Sequence, residues 1–143
     1  MKQRLLFIFN LRSGKGKIKE NLAEIVDIMV KAGWEVTVYT TQCQGDAVEK
    51  ARLEAGEYDR IVCSGGDGTL DEVVTGMMKA KSRVPIGYIP AGSTNDFGNS
   101  LGIDKDMRKA AQIAASGRMF PCDIGRFNDD FFVYVAAFGL FTD

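Results

Sequence analysis

The sequence predicts an α/β fold built on an open, mostly parallel sheet with helices on both faces. Three observations predict it. Short apolar runs alternate with segments of helical periodicity, the first run is continuous enough for a buried parallel strand, and the loops that follow the runs are polar and glycine-rich. The 143 residues suit one domain, which buries roughly 68% of its unfolded surface.

Each element follows in order. "RLLFIFN" (Arg4 to Asn10) is a short apolar strand closed by a loop of glycine and lysine. In "KIKENLAEIVDIMVKAG", Ile18, Leu22, Ile25, Met29 and Ala32 recur at helical spacing, and Gly33 stops the helix. "WEVTVYT" (Trp34 to Thr40) alternates like a strand, and "GDAVEKARLEAG" (Gly45 to Gly56) is a shorter helix. "RIVCSGG" is the third strand, and a helix from Thr69 buries Leu70, Val73, Val74, Met77 and Met78 on one stripe. "PIGYIPA" is the fourth strand. "DKDMRKAAQIAASG" is helical, and "CDIGRFNDDFFVYVAAFG" forms two strands joined through Asn128 to Asp130, a β-hairpin. No linker, repeat or low-complexity segment interrupts the chain.

In open parallel sheets, ligands bind beyond the carboxyl ends of the strands. "NLRSGKGK", "TTQCQGD", "SGGDGT" and "PAGSTND" each follow a strand, so these loops converge on one crevice. Composition limits what that crevice does. Lys and Arg total 18 against 19 Asp and Glu, a net charge of −1, which argues against nucleic acid as a partner. Histidine is absent, which removes Ser-His-Asp and Cys-His catalysis and His-ligated metals. Cys43, Cys63 and Cys122 suit neither a disulfide framework nor a zinc site and are expected as reduced thiols of a cytoplasmic protein. The apolar run before Asn10 is too short for a signal peptide, and no run approaches the ~20 residues of a membrane span.

The chemistry lies in the glycines. Gly65, Gly66 and Gly68 remove side chains and let backbone N–H groups approach an anion, and the helix that follows adds its dipole: a phosphate cradle. Thr69 and Glu72 also match the capping box S/T-x-x-E, in which Glu72 bonds its own helix N-terminus. A carboxylate beside a polyphosphate is repelled unless a cation lies between them. Asp67 therefore points to Mg²⁺, bound directly or through water, with a turn aspartate bonding nearby backbone as the other reading. In "AGSTNDF", Gly92 precedes Ser93 and Asp96 at capping-box spacing, while Thr94 and Asn95 offer neutral donors for sugar or phosphate oxygens. "RSGKGK" brings Arg12, Lys15 and Lys17, as a phosphate loop or a solvated basic loop. It is not a P-loop, which needs glycine at Leu11 and Ser or Thr at Ile18; nor do Gly66, Gly68 and Asp71 fit G-x-G-x-x-G.

Taken together, "GGDGT" with "LDEVVTG", then "IPAGSTNDFGNSLGI" and "CDIG", resemble the catalytic domain of diacylglycerol kinases, including the bacterial soluble lipid kinases and the related sphingosine and ceramide kinases. The resemblance runs from about Arg4 to Asp143. "GGDGT" alone is shared with NAD kinases; its combination with "GSTNDF" is far more specific. The resemblance implies that residues 1–143 are the ATP-binding part of a kinase that transfers the γ-phosphoryl of ATP to a lipid hydroxyl, diacylglycerol to phosphatidic acid or a related lipid, with Mg²⁺. It implies that Asn10, Ser13 and Gly14 form the first nucleotide loop, Thr41 the second, Gly66 through Val73 (Gly66, Asp67, Gly68, Thr69, Leu70, Asp71, Glu72, Val73) the third, and Thr94 the fourth. Two positions depart from the family pattern. Leu11 stands where proline is usual, and Asp71-Glu72 where Asn-Glu is usual.

Family members are longer. A second, β-rich domain supplies the lipid pocket, the general-base carboxylate and further Mg²⁺ contacts, and its absence here implies that this chain alone holds the donor without placing the acceptor. Peripheral membrane contact belongs to that missing half. Two alternatives remain at this level: an NAD-kinase-like enzyme, distinguished at Pro90 to Phe97, and a non-catalytic nucleotide-binding module. The apolar run Phe131 to Phe141 is expected to be an open strand or sheet edge through which the chain self-associates.

Overall fold

Leu5 to Phe9 are all completely buried, and the two-residue period of a strand sorts them onto opposite faces. Leu6 and Ile8 join one core cluster, while Leu5, Phe7 and Phe9 join another. A strand buried on both faces needs helices on both, and the computed structural model, which describes residues 2–12, 17–90, 107–116, 120–122 and 133–136, supplies them. The strands are β1 (Gln3–Phe9), β2 (Trp34–Thr40), β3 (Arg60–Gly65), β4 (Ile86–Pro90), β5 (Phe120–Cys122) and β6 (Val133–Ala136). The helices are α1 (Lys17–Lys31), α2 (Asp46–Glu54), α3 (Asp67–Lys79) and α4 (Met107–Ala115), with a 3-10 turn at Ala55–Glu57. The sheet order is β2-β1-β3-β4-β6-β5. Every neighbouring pair is parallel except β5–β6.

One face carries α2 and α3. Ala47 and Ala51 of α2, with Leu70, Val73, Val74 and Met77 of α3, cover Leu6, Ile8, Ile61, Cys63, Ile86 and Tyr88. Small residues bring the two helices together: a Cβ on Gly76 would run into the Val48 carbonyl oxygen and come within 2.9 Å of Ala51 Cβ. The other face carries α1 and α4, where Ile18, Ile25 and Met29 and the alanines 110, 111 and 114 pack on Leu5, Phe7, Val62 and Ile89. Gly87 lets α4 approach β4, since a Cβ there would lie 2.8 Å from Ala114 Cβ.

The far end of α4 is held by two side chains from the amino ends of β2 and β3. Trp34 Nε1 donates to the Ala115 carbonyl at 2.8 Å. Arg60 Nη1 donates to the carbonyls of Ala114, at 2.8 Å, and Ser116, and its guanidinium stacks 4.7 Å from the Trp34 ring. A buried cation thus satisfies last-turn carbonyls and complements the helix dipole. Burial pulls the Arg60 pKa down, so those acceptors and the ring are what keep the charge tolerable.

Two expectations change. The helix after β3 begins at Asp67 rather than Thr69, because Gly66 is extended (φ −81°, ψ −175°) and acts as the N-cap. The chain turns into the helix directly after the strand. The final strands do pair antiparallel, as a hairpin requires, but β6 lies between β4 and β5. Among the described residues, the open edge on that side therefore belongs to β5, and β6 is paired along both sides. The connection through Asn128 to Asp130, and Phe131, Phe132 and the residues after Ala136, lie outside the described residues.

Candidate functional site

The carboxyl ends of β1, β2 and β3 lie together. β1 sends its helix toward β2 while β3 lies on its other side, so the topology reverses there and a crevice opens. The crevice has a volume of about 490 Å³. Asn10 to Arg12 line it from the loop after β1, Thr41 to Gln44 from the loop after β2, and Gly68, Thr69 and Glu72 from the first turns of α3.

Backbone bonds fix the strand ends. Asn10 N–H donates to the Ser64 carbonyl at 3.3 Å, and Thr41 N–H to the Phe9 carbonyl at 2.9 Å. Asn10 Oδ1 accepts the Arg12 N–H at 2.9 Å, folding the start of the next loop back on the strand. The loop after β2 is organised by Asp46, whose carboxylate accepts the Gln42 N–H at 2.7 Å and the Tyr39 hydroxyl at 2.8 to 2.9 Å. That bond to a carboxylate pushes the Tyr39 pKa up. On the other side, the Tyr88 hydroxyl donates to the Gly65 carbonyl at 2.9 Å from inside the core, anchoring the end of β3.

The start of α3 is open. Its N-cap is Gly66, with no side-chain cap. Thr69 N–H turns back to the Gly66 carbonyl at 3.1 Å, while the N–H groups of Asp67 and Gly68 have no intrahelical partner among the described residues. The capping box read from the sequence does not form: Thr69 already lies inside the helix, and Glu72 Oε1 accepts the Gly45 N–H at 3.1 Å instead. A Cβ built on Gly66 or on Gly68 would meet nothing within 4 Å, and neither residue has a positive φ. Among the described residues, neither packing nor backbone therefore demands glycine at either position.

The structure brings Asn10, Thr41, Gly68, Thr69 and Glu72 to one crevice, with Gly65 and Gly66 at the strand-to-helix turn beside it. Leu70 and Val73 direct their side chains into the α2–α3 core, so only their backbone is open to a role at the site. Asp71 is half-buried on α3. Ser13, Gly14, Ser93, Thr94 and Asn95 lie outside the described residues, as does the Asp67 side chain. Sequence reading did not single out Gln42, Cys43 and Gln44 as lining residues. Their only signal is position, just past the end of a parallel strand. Among the described residues, no group of three or more His, Cys, Asp and Glu could hold a metal ion, and no helix is long and apolar enough to cross a membrane.

The sequence profile of the diacylglycerol kinase catalytic domain matches residues 4–127. This chain belongs to that family. It is 40% identical to a diacylglycerol kinase of Staphylococcus carnosus, over all of this chain and 47% of that protein. It is 39% identical to one of Bacillus subtilis, over 99% of this chain and 47% of that protein. A crystal structure of a diacylglycerol kinase from Bacillus anthracis superposes with a TM-score of 0.75 at 30% identity, covering 84% of this chain and 44% of that one. The chain of the present family member thus spans about half the length of the curated relatives it matches.

Proposed function

We propose that this chain is the nucleotide-binding half of an ATP-dependent lipid kinase, holding ATP in the crevice between β1, β2 and α3 while its γ-phosphoryl passes to a lipid hydroxyl. The observation that carries the reading is the pair Gly66 and Gly68. They stand at a helix N-terminus without a side-chain cap, beside or on a crevice wall, where among the described residues neither the backbone nor the packing requires glycine. A ligand that presses close to the main chain is a reason for both to be bare, and unpaired N–H groups at a helix start suit phosphate. Asn10, Thr41, Gln42, Gln44 and Thr69 supply neutral hydrogen-bonding groups for sugar and base.

Asp67 is the residue we assign to Mg²⁺, directly or through water; the ion supplies neutralisation of the phosphate charge when bound. Phosphoryl transfer depends mostly on positioning and charge neutralisation, yet the acceptor hydroxyl must be held in line and deprotonated. We place the general base and the lipid pocket in the part of the relatives that this chain does not span. The location we propose is the cytoplasm, with peripheral membrane contact made by that other half. The self-association we propose runs through the C-terminal strands, at the β5 edge.

Calorimetric titration with ATP tests the reading. The chain is expected to bind ATP, and to bind it more tightly with Mg²⁺. Asp67→Asn is expected to weaken binding with Mg²⁺ more than without it. Absence of any ATP uptake would overturn the nucleotide assignment, and equal losses in both conditions would remove Asp67 from the ion. With labelled ATP and diacylglycerol, this chain alone is expected to give no lipid product.

A further inference from the structure

Glu72 lies on the crevice wall, where its charge opposes the polyphosphate that the proposed function puts there. What it holds accounts for the placement. Its Oε1 accepts the Gly45 N–H at 3.1 Å, and Gly45 takes φ +89° as the N-cap of α2, with no side-chain cap of its own. Thr41 ties the start of this loop to β1, donating its N–H to the Phe9 carbonyl at 2.9 Å and its hydroxyl at 3.4 Å. Past Thr41 the bonds are local, with Gln42 N–H and the Tyr39 hydroxyl donating to Asp46 and Asp46 N–H donating to the Cys43 carbonyl. Those bonds shape the loop without setting its distance from α3. The close approach at Gly76 joins the bodies of the two helices, well along α3 from the crevice. The Glu72 to Gly45 bond ties the loop itself to α3, at the level of the crevice.

We propose, resting on the nucleotide reading, that Glu72 is a positioning residue. Its carboxylate serves as the acceptor for the Gly45 N–H and thereby holds the Gln42 to Gln44 wall at the spacing the nucleotide needs. A loop that leaves this position part of the time weakens binding in proportion to the fraction lost. Charge is incidental to that task, so an uncharged acceptor of the same reach performs it equally.

The test compares the wild-type chain with Glu72→Gln, which keeps an acceptor oxygen, and Glu72→Met, which keeps the volume and removes it. Glu72→Ala is a second acceptor-free variant should the methionine disturb folding. Two quantities are read: hydrogen exchange of the Gly45 amide, and affinity for ATP with Mg²⁺. Wild type and Glu72→Gln are expected to protect Gly45 alike and to bind ATP within about threefold of each other. The acceptor-free variants are expected to expose Gly45 and to bind ATP about tenfold more weakly. Equal loss of affinity in Glu72→Gln and Glu72→Met would overturn the proposal in favour of a charge role. Loss of Gly45 protection with unchanged affinity would overturn it by showing that the wall needs no tie. A wild-type chain that takes up no ATP would fail the nucleotide reading itself, and the proposal with it; the wild-type titration distinguishes that case from the other two.

Discussion

Gly68 and Gly76 share helix α3, and different neighbours account for their missing side chains. At Gly76 the neighbour is the protein: a methyl would strike the Val48 carbonyl and crowd Ala51. Gly76→Ala is therefore expected to destabilise the fold by about 1–3 kcal/mol, read as a lower melting temperature, while leaving the crevice residues in place. Sequence alone could not separate the two glycines, because both occur in a helical pattern and only the three-dimensional neighbour differs. The cysteines divide in a similar way. Cys63 is fully buried and burial pushes its thiol up, so it is inert at neutral pH. Cys43 is exposed and lines the crevice. In a Cys122→Ser background, maleimide is expected to label Cys43 and spare Cys63, and ATP with Mg²⁺ to slow that labelling. Labelling unchanged by ATP would place the nucleotide away from the loop after β2.

Among the elements, α4 depends most on contacts that no local pattern announces. Its alanine-rich stripe was legible as a helix, but the stop depends on Arg60 and Trp34, which reach the last-turn carbonyls from strands far away in sequence. Arg60→Met is expected to cost about 2–3 kcal/mol, since it strands buried carbonyls and removes a charge from the helix C-terminus; thermal unfolding checks it. The start of α3 was misplaced for a local reason. S/T-x-x-E is a strong cap signal, yet an extended Gly66 starts the helix earlier and frees Glu72 for Gly45. The loop after β2 carries a pH signature. Tyr39 donates to the Asp46 carboxylate, which raises its pKa above the ordinary value of 10.0. The raised value belongs to the folded state, so its stabilising contribution is complete below about pH 10 and fades as pH climbs through the folded pKa. Ultraviolet titration is expected to find Tyr39 ionising above the ordinary tyrosine range, and Asp46→Asn to bring it down.

At the scale of the whole molecule, the architecture was readable because burial on both faces leaves a plain mark, continuous apolar runs set between amphipathic helices. The convergence of loops after β1, β2 and β3 followed from the same rule and is realised as the crevice. Strand order was not readable: nothing local in Val133 to Ala136 says that it inserts between β4 and the earlier strand β5. Among the described residues, that insertion moves the open edge to a three-residue strand containing Pro121, and short, proline-bearing edges pair weakly. Sedimentation over a range of concentrations is expected to show weak self-association, and a strictly monomeric chain would contradict that part of the proposal. The central claim is that the crevice, and not the fold, requires glycine beside α3, and Gly68→Ala tests it most directly when melting and ATP titration are run on the same sample. The account predicts a melting temperature equal to or above wild type, since alanine favours helix by up to about 1 kcal/mol, together with ATP affinity lowered by about tenfold or more. Unchanged ATP affinity in a folded Gly68→Ala chain would contradict it.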